Sequence, residues 1–136
     1  MSSPAASELE IRAKAAQQRA YAPYSKFRVG AALRANGQIF DGANVEIASY
    51  SLTICAERTA MSAAVLAGAR DLEEVAVCTD VSPPSSPCGA CRQFLYEFAS
   101  DPTKVKITAT NPAGERRSWT LAELLPDGFS GRELKP

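Results

Sequence analysis

The chain contains no histidine, the side chain to which enzymes most often give proton transfer and metal binding. This absence excludes every catalytic arrangement that depends on an imidazole. Any acid–base or metal chemistry in this protein therefore falls to other side chains, and the four cysteines and the carboxylates are the candidates.

The chain also lacks an excess of charge of either sign, since 15 Lys and Arg residues balance 15 Asp and Glu residues. Without a basic stripe, duplex DNA and membrane surfaces are disfavoured as partners and a small substrate is favoured. No apolar run approaches the roughly 20 residues that span a bilayer. The start of the chain, "MSSPAASELE", lacks the basic and apolar parts of a secretory signal. These absences predict a cytoplasmic protein with no membrane partner.

The composition, with 46% hydrophobic and 22% charged residues, predicts a globular protein. No repeat or linker divides the sequence, so we expect a single domain over residues 1–136. In the cytoplasm, disulfides are uncommon, and the cysteines are therefore interpreted as metal ligands or reactive thiols. The alternative is that they are small buried hydrophobic residues.

Alternating segments of helix and strand signals run along the chain. The patterns predict a helix from about 8 to 21 and two antiparallel strands, about 27–35 and 38–45, joined by the hairpin signal Asn36-Gly37. Further along, they predict a helix from Thr53 or Cys55 to Gly68 and a strand in "LEEVAVCTD". A helix starting near Pro87 and a strand in "KVKITAT" come next. The last predicted elements are a short strand and a brief helix capped by Thr120. This order predicts an α/β layered sandwich with a mixed sheet.

Three of the cysteines lie at predicted helix starts. Cys88 and Cys91 are three residues apart and fall on one face of a turn, and Cys55 begins a different helix. Helix N-termini favour thiolates, because their unpaired N–H groups and the helix dipole attract negative charge. If the two helix starts face each other, three thiolates converge on one ion. Zinc accepts this ligand set, and a fourth position left to water is typical of a catalytic site.

Two other interpretations of the cysteines remain open. "CGAC" resembles a thioredoxin-type redox pair, but that interpretation leaves Cys55 and Glu57 without a role. A closed structural zinc site would need Cys78 as its fourth ligand. Cys78 lies inside the predicted strand "VAVCT", where a buried small side chain is the commoner explanation.

Glu57 follows Cys55 by two residues and is a candidate proton carrier. Three thiolates weaken the acidifying effect of zinc on water, so the water would need a nearby base. The net charge of minus one on such a centre could be offset by Arg58 or Arg92. The alternatives are that Glu57 merely complements a helix dipole and that the arginines are solvated, which we favour for Arg92.

Together, "CAE" and, about 30 residues later, "PCGACRQ" resemble the signature of the zinc-dependent nucleoside deaminases, with Cys55 in place of the histidine found in many of them. The segments "YSKFRVGAAL" and "GANVEIASYSLTICAERTA" are similar to the other two sequence blocks of the small homotetrameric cytidine deaminases. The resemblance covers nearly the whole chain.

This resemblance implies a three-layer α/β/α sandwich with a mixed sheet of about five strands and one Zn²⁺ per subunit. It implies hydrolytic deamination of cytidine and deoxycytidine, with Glu57 moving protons between a zinc-activated water and the base. It also implies a homotetramer whose active sites are shared between subunits. Ile47 and Ser51 depart from the family's usual Asn and Gly, and they flank the pocket loop.

The same resemblance assigns roles to individual residues. Phe27 would flank the pyrimidine, the backbone of Ala56 would hold the base, and Asn44 and Glu46 would bind the ribose hydroxyls. Arg58 would temper the thiolate charge. Tyr50 would reach a neighbouring subunit's pocket, and Phe129 would stack on a base bound in a neighbouring subunit.

Several rival functions are compatible with the residues. The enzymatic rival is a deaminase of a modified cytosine nucleoside such as blasticidin S, although "NVE" favours plain ribose. The rivals from other classes are a non-catalytic zinc-binding module and the redox protein. RNA or DNA editing is disfavoured by the balanced charge.

Overall fold

The computed structural model describes residues 6–134. The first five residues and the last two, which the predicted single domain also includes, lie outside the described part. Within residues 6–134 the strands are β1 (Gly30–Ala35), β2 (Gln38–Ala43), β3 (Leu72–Cys78), β4 (Lys106–Thr110) and β5 (Arg116–Thr120). The helices are α1 (Glu8–Gln17), α2 (Ala56–Leu66), α3 (Gly89–Tyr96) and α4 (Leu121–Leu124), with short 3₁₀ turns at Tyr50–Leu52 and Gly131–Leu134.

The five strands form one mixed sheet in the order β2-β1-β3-β4-β5. β3 and β4 pair in parallel, and the other neighbours are antiparallel. The β1–β2 hairpin turns at Asn36 and Gly37, whose φ angles are both positive at 49° and 75°. Such a two-residue turn matches the twist of the flanking strands. The predicted hairpin and mixed sheet are confirmed.

Helices cover both faces of the sheet, because successive residues of a strand point to opposite sides. In β3, Val75 and Val77 belong to the larger core, which also includes residues of α2, α3 and α4. Ala76 and Cys78 belong to the smaller core against α1. The three-layer α/β/α arrangement is therefore confirmed, and so is the expectation that Cys78 is a buried strand residue.

Helix α2 lies unusually close to β2 at Gly42. A Cβ atom at this position would lie 2.6 Å from the backbone nitrogen of Ala60 and 3.0 Å from the carbonyl oxygen of Ala56. Both contacts are with backbone, which has no rotamer by which to move aside. The absence of a side chain at Gly42 thus sets how near the beginning of α2 can come to the sheet.

Two predicted elements are shorter than expected, because loop backbone forms other hydrogen bonds. Helix α1 ends at Gln17 rather than near Tyr21, and the backbone of Tyr21 instead pairs with Asn44 and Glu46 after β2. Strand β1 begins at Gly30 rather than at residue 27, since the Asn44 side chain binds the backbone just before it.

Smaller differences between the predicted and the observed bounds occur at the ends of other helices and strands. β2 ends at Ala43 rather than near residue 45, β4 begins at Lys106, and Pro87 lies just before the N-cap of α3. The expected cap of the last helix is confirmed: the Thr120 hydroxyl accepts a hydrogen bond from the Glu123 N–H at 3.1 Å, and the Glu123 carboxylate accepts one from the Thr120 N–H at 2.9 Å.

None of the helices within residues 6–134 combines the length and apolarity that crossing a membrane requires.

Candidate active site

The three cysteines predicted to act together do meet in space. Cys55 is the N-cap of α2, Cys88 is the N-cap of α3, and Cys91 lies in the first turn of α3. Their sulfur atoms all lie within 4.8 Å of one another. The N-termini of α2 and α3 therefore point their unpaired N–H groups at one place, where negative charge is stabilised.

This sulfur cluster fits a zinc ion. In a tetrahedral site with Zn–S bonds of about 2.3 Å, the sulfurs lie about 3.8 Å apart, a spacing compatible with the cluster. In the described part of the chain, these cysteines are the one group of three or more candidate ligands that is close enough to hold a metal. Cys78 is not among them, because its thiol donates a hydrogen bond to the Gln17 side chain at 3.3 Å in the core under α1. The alternative of a closed four-cysteine site is therefore wrong.

Arg58 and Cys91 both favour negative charge on Cys55. The pKa of the Cys55 thiol is lowered to about 5, first because the Cys91 thiol donates a hydrogen bond to it and also because the Arg58 guanidinium is nearby, which together outweigh burial. The Arg58 Nη2 atom lies 3.5 Å from the Cys55 sulfur and 3.3 Å from the Thr53 carbonyl oxygen. A thiolate, which is the form that binds zinc, thus exists at Cys55 at neutral pH.

Glu57 lies in the first turn of α2 and is buried, with 4% of its surface exposed. Burial raises the pKa of this carboxyl to about 7, because a charged carboxylate is poorly solvated there. Glu57 faces the same cavity as Cys55 and Cys88. A carboxyl in this position can both accept and return a proton beside the sulfur cluster.

The cavity has a volume of about 270 Å³, near the lower end of the range for small-molecule sites. It lies at the end of the sheet where β1 begins and where β2 and β3 end. Gly30, the first residue of β1, pairs there with Ala43 of β2 and with Cys78 of β3. Its lining consists of Phe27, Val29, Asn44, Glu46, Thr53, Cys55, Ala56, Glu57, Val77, Thr79, Ser85, Ser86 and Cys88.

The predicted residues Phe27, Asn44, Glu46 and Ala56 all line this cavity, but Asn44 and Glu46 also hold its wall together. The Asn44 side chain accepts from the Val29 N–H at 3.0 Å and donates to the Phe27 carbonyl oxygen at 2.8 Å. The Glu46 carboxylate accepts from the N–H groups of Tyr24 and Ser25 at 3.1 Å and from the Ser25 hydroxyl. Hydrogen bonding, most of all from Ser25, lowers the pKa of Glu46, which is therefore ionised.

Three other predicted residues are not among those that line the cavity. Arg58 contacts the Cys55 sulfur but does not line the cavity. Tyr50, which is 67% exposed, and Phe129, which is also exposed, lie on the surface. The Phe129 carbonyl oxygen accepts a hydrogen bond from the Gln93 side chain at 2.6 Å, which attaches this part of the chain to α3.

The interpretation of Arg92 as a solvated surface charge is wrong. Its guanidinium donates to the carbonyl oxygens of Pro87 at 2.7 Å and Leu124 at 2.9 Å, and to the Ser86 hydroxyl at 2.7 Å. These bonds attach the loop that leads into Cys88 to the end of α4. Arg92 thus positions a cysteine of the cluster without belonging to it.

Sequence reasoning missed several lining residues, among them Thr79, Ser85 and Ser86. Thr79 directly follows β3, and the two serines come just before Pro87 and Cys88. The position of Thr79 at the end of a strand next to the site was the one signal that could have identified it.

The family model for the cytidine and deoxycytidylate deaminase zinc-binding region matches residues 5–108. The chain belongs to this family. The matched region contains Glu57 and all three clustered cysteines, and the family assignment replaces the thioredoxin-like interpretation of Cys88 and Cys91. As a member of the family, the chain is a zinc-dependent hydrolase.

Individual relatives agree with this assignment. The chain is 47% identical over 128 residues to a cytidine deaminase of Sporosarcina psychrophila, with 93% of each chain covered. A crystal structure of cytidine deaminase from Burkholderia pseudomallei superposes with a TM-score of 0.83 at 48% identity, covering 89% of this chain and 96% of that one. The structure of cytidine deaminase from Mycobacterium tuberculosis gives a TM-score of 0.75 at 38% identity, covering 89% and 94%. The fold and the family thus agree over nearly the whole chain.

Proposed function

We propose that this protein hydrolyses cytidine and deoxycytidine to uridine and deoxyuridine with release of ammonia. The observation that carries the proposal is the buried carboxyl of Glu57, which faces the same cavity as Cys55 and Cys88. Cys55, Cys88 and Cys91 would hold the zinc ion, which would supply a Lewis acid that makes water a better nucleophile.

Glu57 performs the proton transfers in this proposal. Its carboxylate takes a proton from the attacking water and delivers it to ring N3 while the new C–O bond forms at C4. It then takes the proton of the C4 hydroxyl and gives it to the amino group, so that ammonia leaves and the carbonyl of uridine forms. One group near the reacting atoms can serve in both steps because it returns to its starting state.

Two ends of the cavity suit the two parts of a nucleoside. Asn44 keeps one amide N–H beyond its bond to Phe27, and Glu46 keeps about one of its four acceptor sites. A donor and an acceptor side by side suit the sugar hydroxyls. The Ala56 N–H, in the first helical turn, has no intrahelical partner and suits a carbonyl oxygen of the base. Phe27 supplies an apolar wall for the ring.

Arg58 is proposed to balance charge at the metal centre. Three thiolates and one Zn²⁺ sum to a charge of minus one, and the guanidinium lies 3.5 Å from the Cys55 sulfur. By drawing negative charge away from that sulfur, Arg58 would leave a bound ion more electrophilic than three thiolates alone would allow.

A homotetramer with active sites shared between subunits is the second part of the proposal. An outer apolar patch supports it, made of Tyr21, Tyr24, Val45, Ile47, Tyr50, Leu52 and Ile54, all of them exposed. Val45 bridges to Tyr21 and Ile54, and the rings of Tyr24 and Tyr50 lie 6.1 Å apart, so the patch is continuous. Contiguous apolar surface of this kind marks an interface. It adjoins the two loops that carry Phe27 and Glu46, one before β1 and one after β2, so a second copy docked there would lie at the mouth of the cavity.

Leu52→Glu is expected to break this assembly. Leu52 is 63% exposed in the patch, and a carboxylate buried in an interface without a partner costs several kcal/mol. Light scattering after size exclusion should show the mass fall from about four chains to fewer, and activity should fall with it because Tyr50 no longer reaches a neighbour. Leu66→Glu is the matched control, since Leu66 is 89% exposed at the far end of α2, outside the patch. Equal masses for wild type and Leu52→Glu would refute the patch as the interface.

The substrate is tested by ammonia release from cytidine, deoxycytidine and blasticidin S at equal concentrations. We expect turnover of the two plain nucleosides and little with blasticidin S, because the donor and acceptor of Asn44 and Glu46 suit a sugar diol. A zinc-loaded protein that releases no ammonia from any of them would support the non-catalytic module instead. The cytoplasmic location expected from the sequence remains a prediction.

A further inference from the structure

The Thr79 hydroxyl is buried and lacks a hydrogen-bond partner within residues 6–134. Only 3% of the residue is exposed, and its own N–H is satisfied by the Thr110 carbonyl oxygen at 3.2 Å. Buried hydroxyl groups in native proteins nearly always have a partner, because leaving one without a hydrogen bond is costly. The partner of this hydroxyl is therefore expected to be a ligand or a water rather than one of residues 6–134.

Thr79 lines the cavity that contains Glu57 and the sulfur cluster. Val77, two residues earlier, lines it too. Residues two apart on an extended chain share one side, and Val77 faces the core that includes α2. The Thr79 side chain thus lies on the wall of the cavity against which the beginning of α2 packs.

The cavity is long enough to keep Thr79 apart from the proposed sugar end. Asn44 follows β2, whereas Thr79 follows β3, and β1 lies between these two strands. With strands about 4.8 Å apart, the two residues stand about 10 Å from each other, roughly the length of a nucleoside. If Asn44 and Glu46 bind the sugar, the wall that carries Thr79 faces the base.

We propose that Thr79 is a base-binding residue whose hydroxyl forms a hydrogen bond with the polar edge of the pyrimidine, directly or through a water that is bound with it. This inference rests on the proposed nucleoside function and adds a specific contact to it. A hydrogen bond from the base, or from a water bound with it, would satisfy the Thr79 hydroxyl, which has no partner among residues 6–134.

Thr79→Val tests the inference, because valine keeps the shape of threonine and removes only the hydroxyl. Catalytic efficiency on cytidine should fall about tenfold, the usual effect of losing one buried hydrogen bond to a ligand. The loss should appear mainly in KM, and the stabilisation of the protein by the product uridine should shrink in a thermal-shift titration. Thr79→Ser keeps the hydroxyl and should recover most of the efficiency.

Stability distinguishes this role from a structural one. Without ligand, Thr79→Val should melt no lower than wild type, since it removes a hydroxyl that has no partner. The control is Thr108→Val, because the buried Thr108 hydroxyl lies 3.2 Å from that of Ser118 in the paired strands β4 and β5. This control should melt lower and leave KM unchanged.

Each other outcome overturns the inference. Wild-type efficiency in Thr79→Val, loss of folding in that variant, or equal impairment of the Val and Ser variants would each assign the hydroxyl a different role. Failure of the proposed function itself would look different, because then the wild-type protein would release no ammonia from cytidine.

Discussion

Glu57→Gln is expected to lower kcat for cytidine by roughly a thousandfold or more while zinc content and fold remain unchanged. Glutamine has the same shape as glutamate but cannot carry a proton at this position. General acid–base catalysis contributes about 10²- to 10⁴-fold, and in the proposed reaction the same carboxyl serves in both halves. The loss should therefore appear in kcat, with a much smaller change in KM.

The measurement is ammonia release under saturating cytidine, with zinc content determined on the same sample by elemental analysis. Glu97→Gln provides a matched control, because Glu97 is an exposed carboxylate at the end of α3, away from the cavity. It should behave as wild type. A zinc-loaded Glu57→Gln protein with wild-type turnover would refute the assignment of the proton transfers to Glu57.

Cys91→Ser is expected to abolish zinc binding and, with it, all detectable turnover. Cys91 is buried in the first turn of α3, and its sulfur lies within 4.8 Å of both other sulfurs. Zinc sites are usually four-coordinate, and catalytic ones use three protein ligands, so the loss of one leaves two sulfurs and an undersized site. Zinc per chain should fall from about one to near zero.

Cys78→Ser is the matched control for this variant. It makes the same chemical change at a buried cysteine, but on the opposite face of the sheet, beside Gln17. Zinc content and kcat should stay at wild-type values, with at most a lower melting temperature. A Cys91→Ser protein that retains zinc after dialysis would show that the ion is held elsewhere.

Local signals in the sequence were sufficient to predict most of the secondary-structure elements and to identify the cysteines that are candidate metal ligands. Asn36-Gly37 predicted the hairpin, Thr120 predicted the cap of α4, and cysteines at two helix starts predicted the cluster. Each of these signals acts over a few residues, where backbone geometry is determined by the side chains themselves. Convergence of Cys55 with Cys88 and Cys91 additionally required that two helices lie on the same face of the sheet, which the spacing alone could not establish.

The hydrogen bonds of Arg92 and the unpaired state of the Thr79 hydroxyl could not be predicted, because both depend on how residues far away in the sequence pack around these side chains. Arg92 bonds to Leu124, which lies 32 residues later, and an arginine on a short helix is more often solvated. The unpaired state of the Thr79 hydroxyl is visible only when all of its neighbours are known. Asn44 and Glu46 are a mixed case: they line the cavity as expected, but their bonds to the Phe27 loop follow from how that loop folds back.

Gly42 places a limit on redesigning this enzyme for other nucleosides. Because α2 rests directly on the backbone of β2 at that position, even one added methyl group would push the helix outward, and Cys55 and Glu57 would move with it. Variant libraries intended to change the substrate range should therefore substitute cavity-lining residues such as Phe27 and Ser85 and keep Gly42 constant. Gly42 itself is not among the residues that line the cavity.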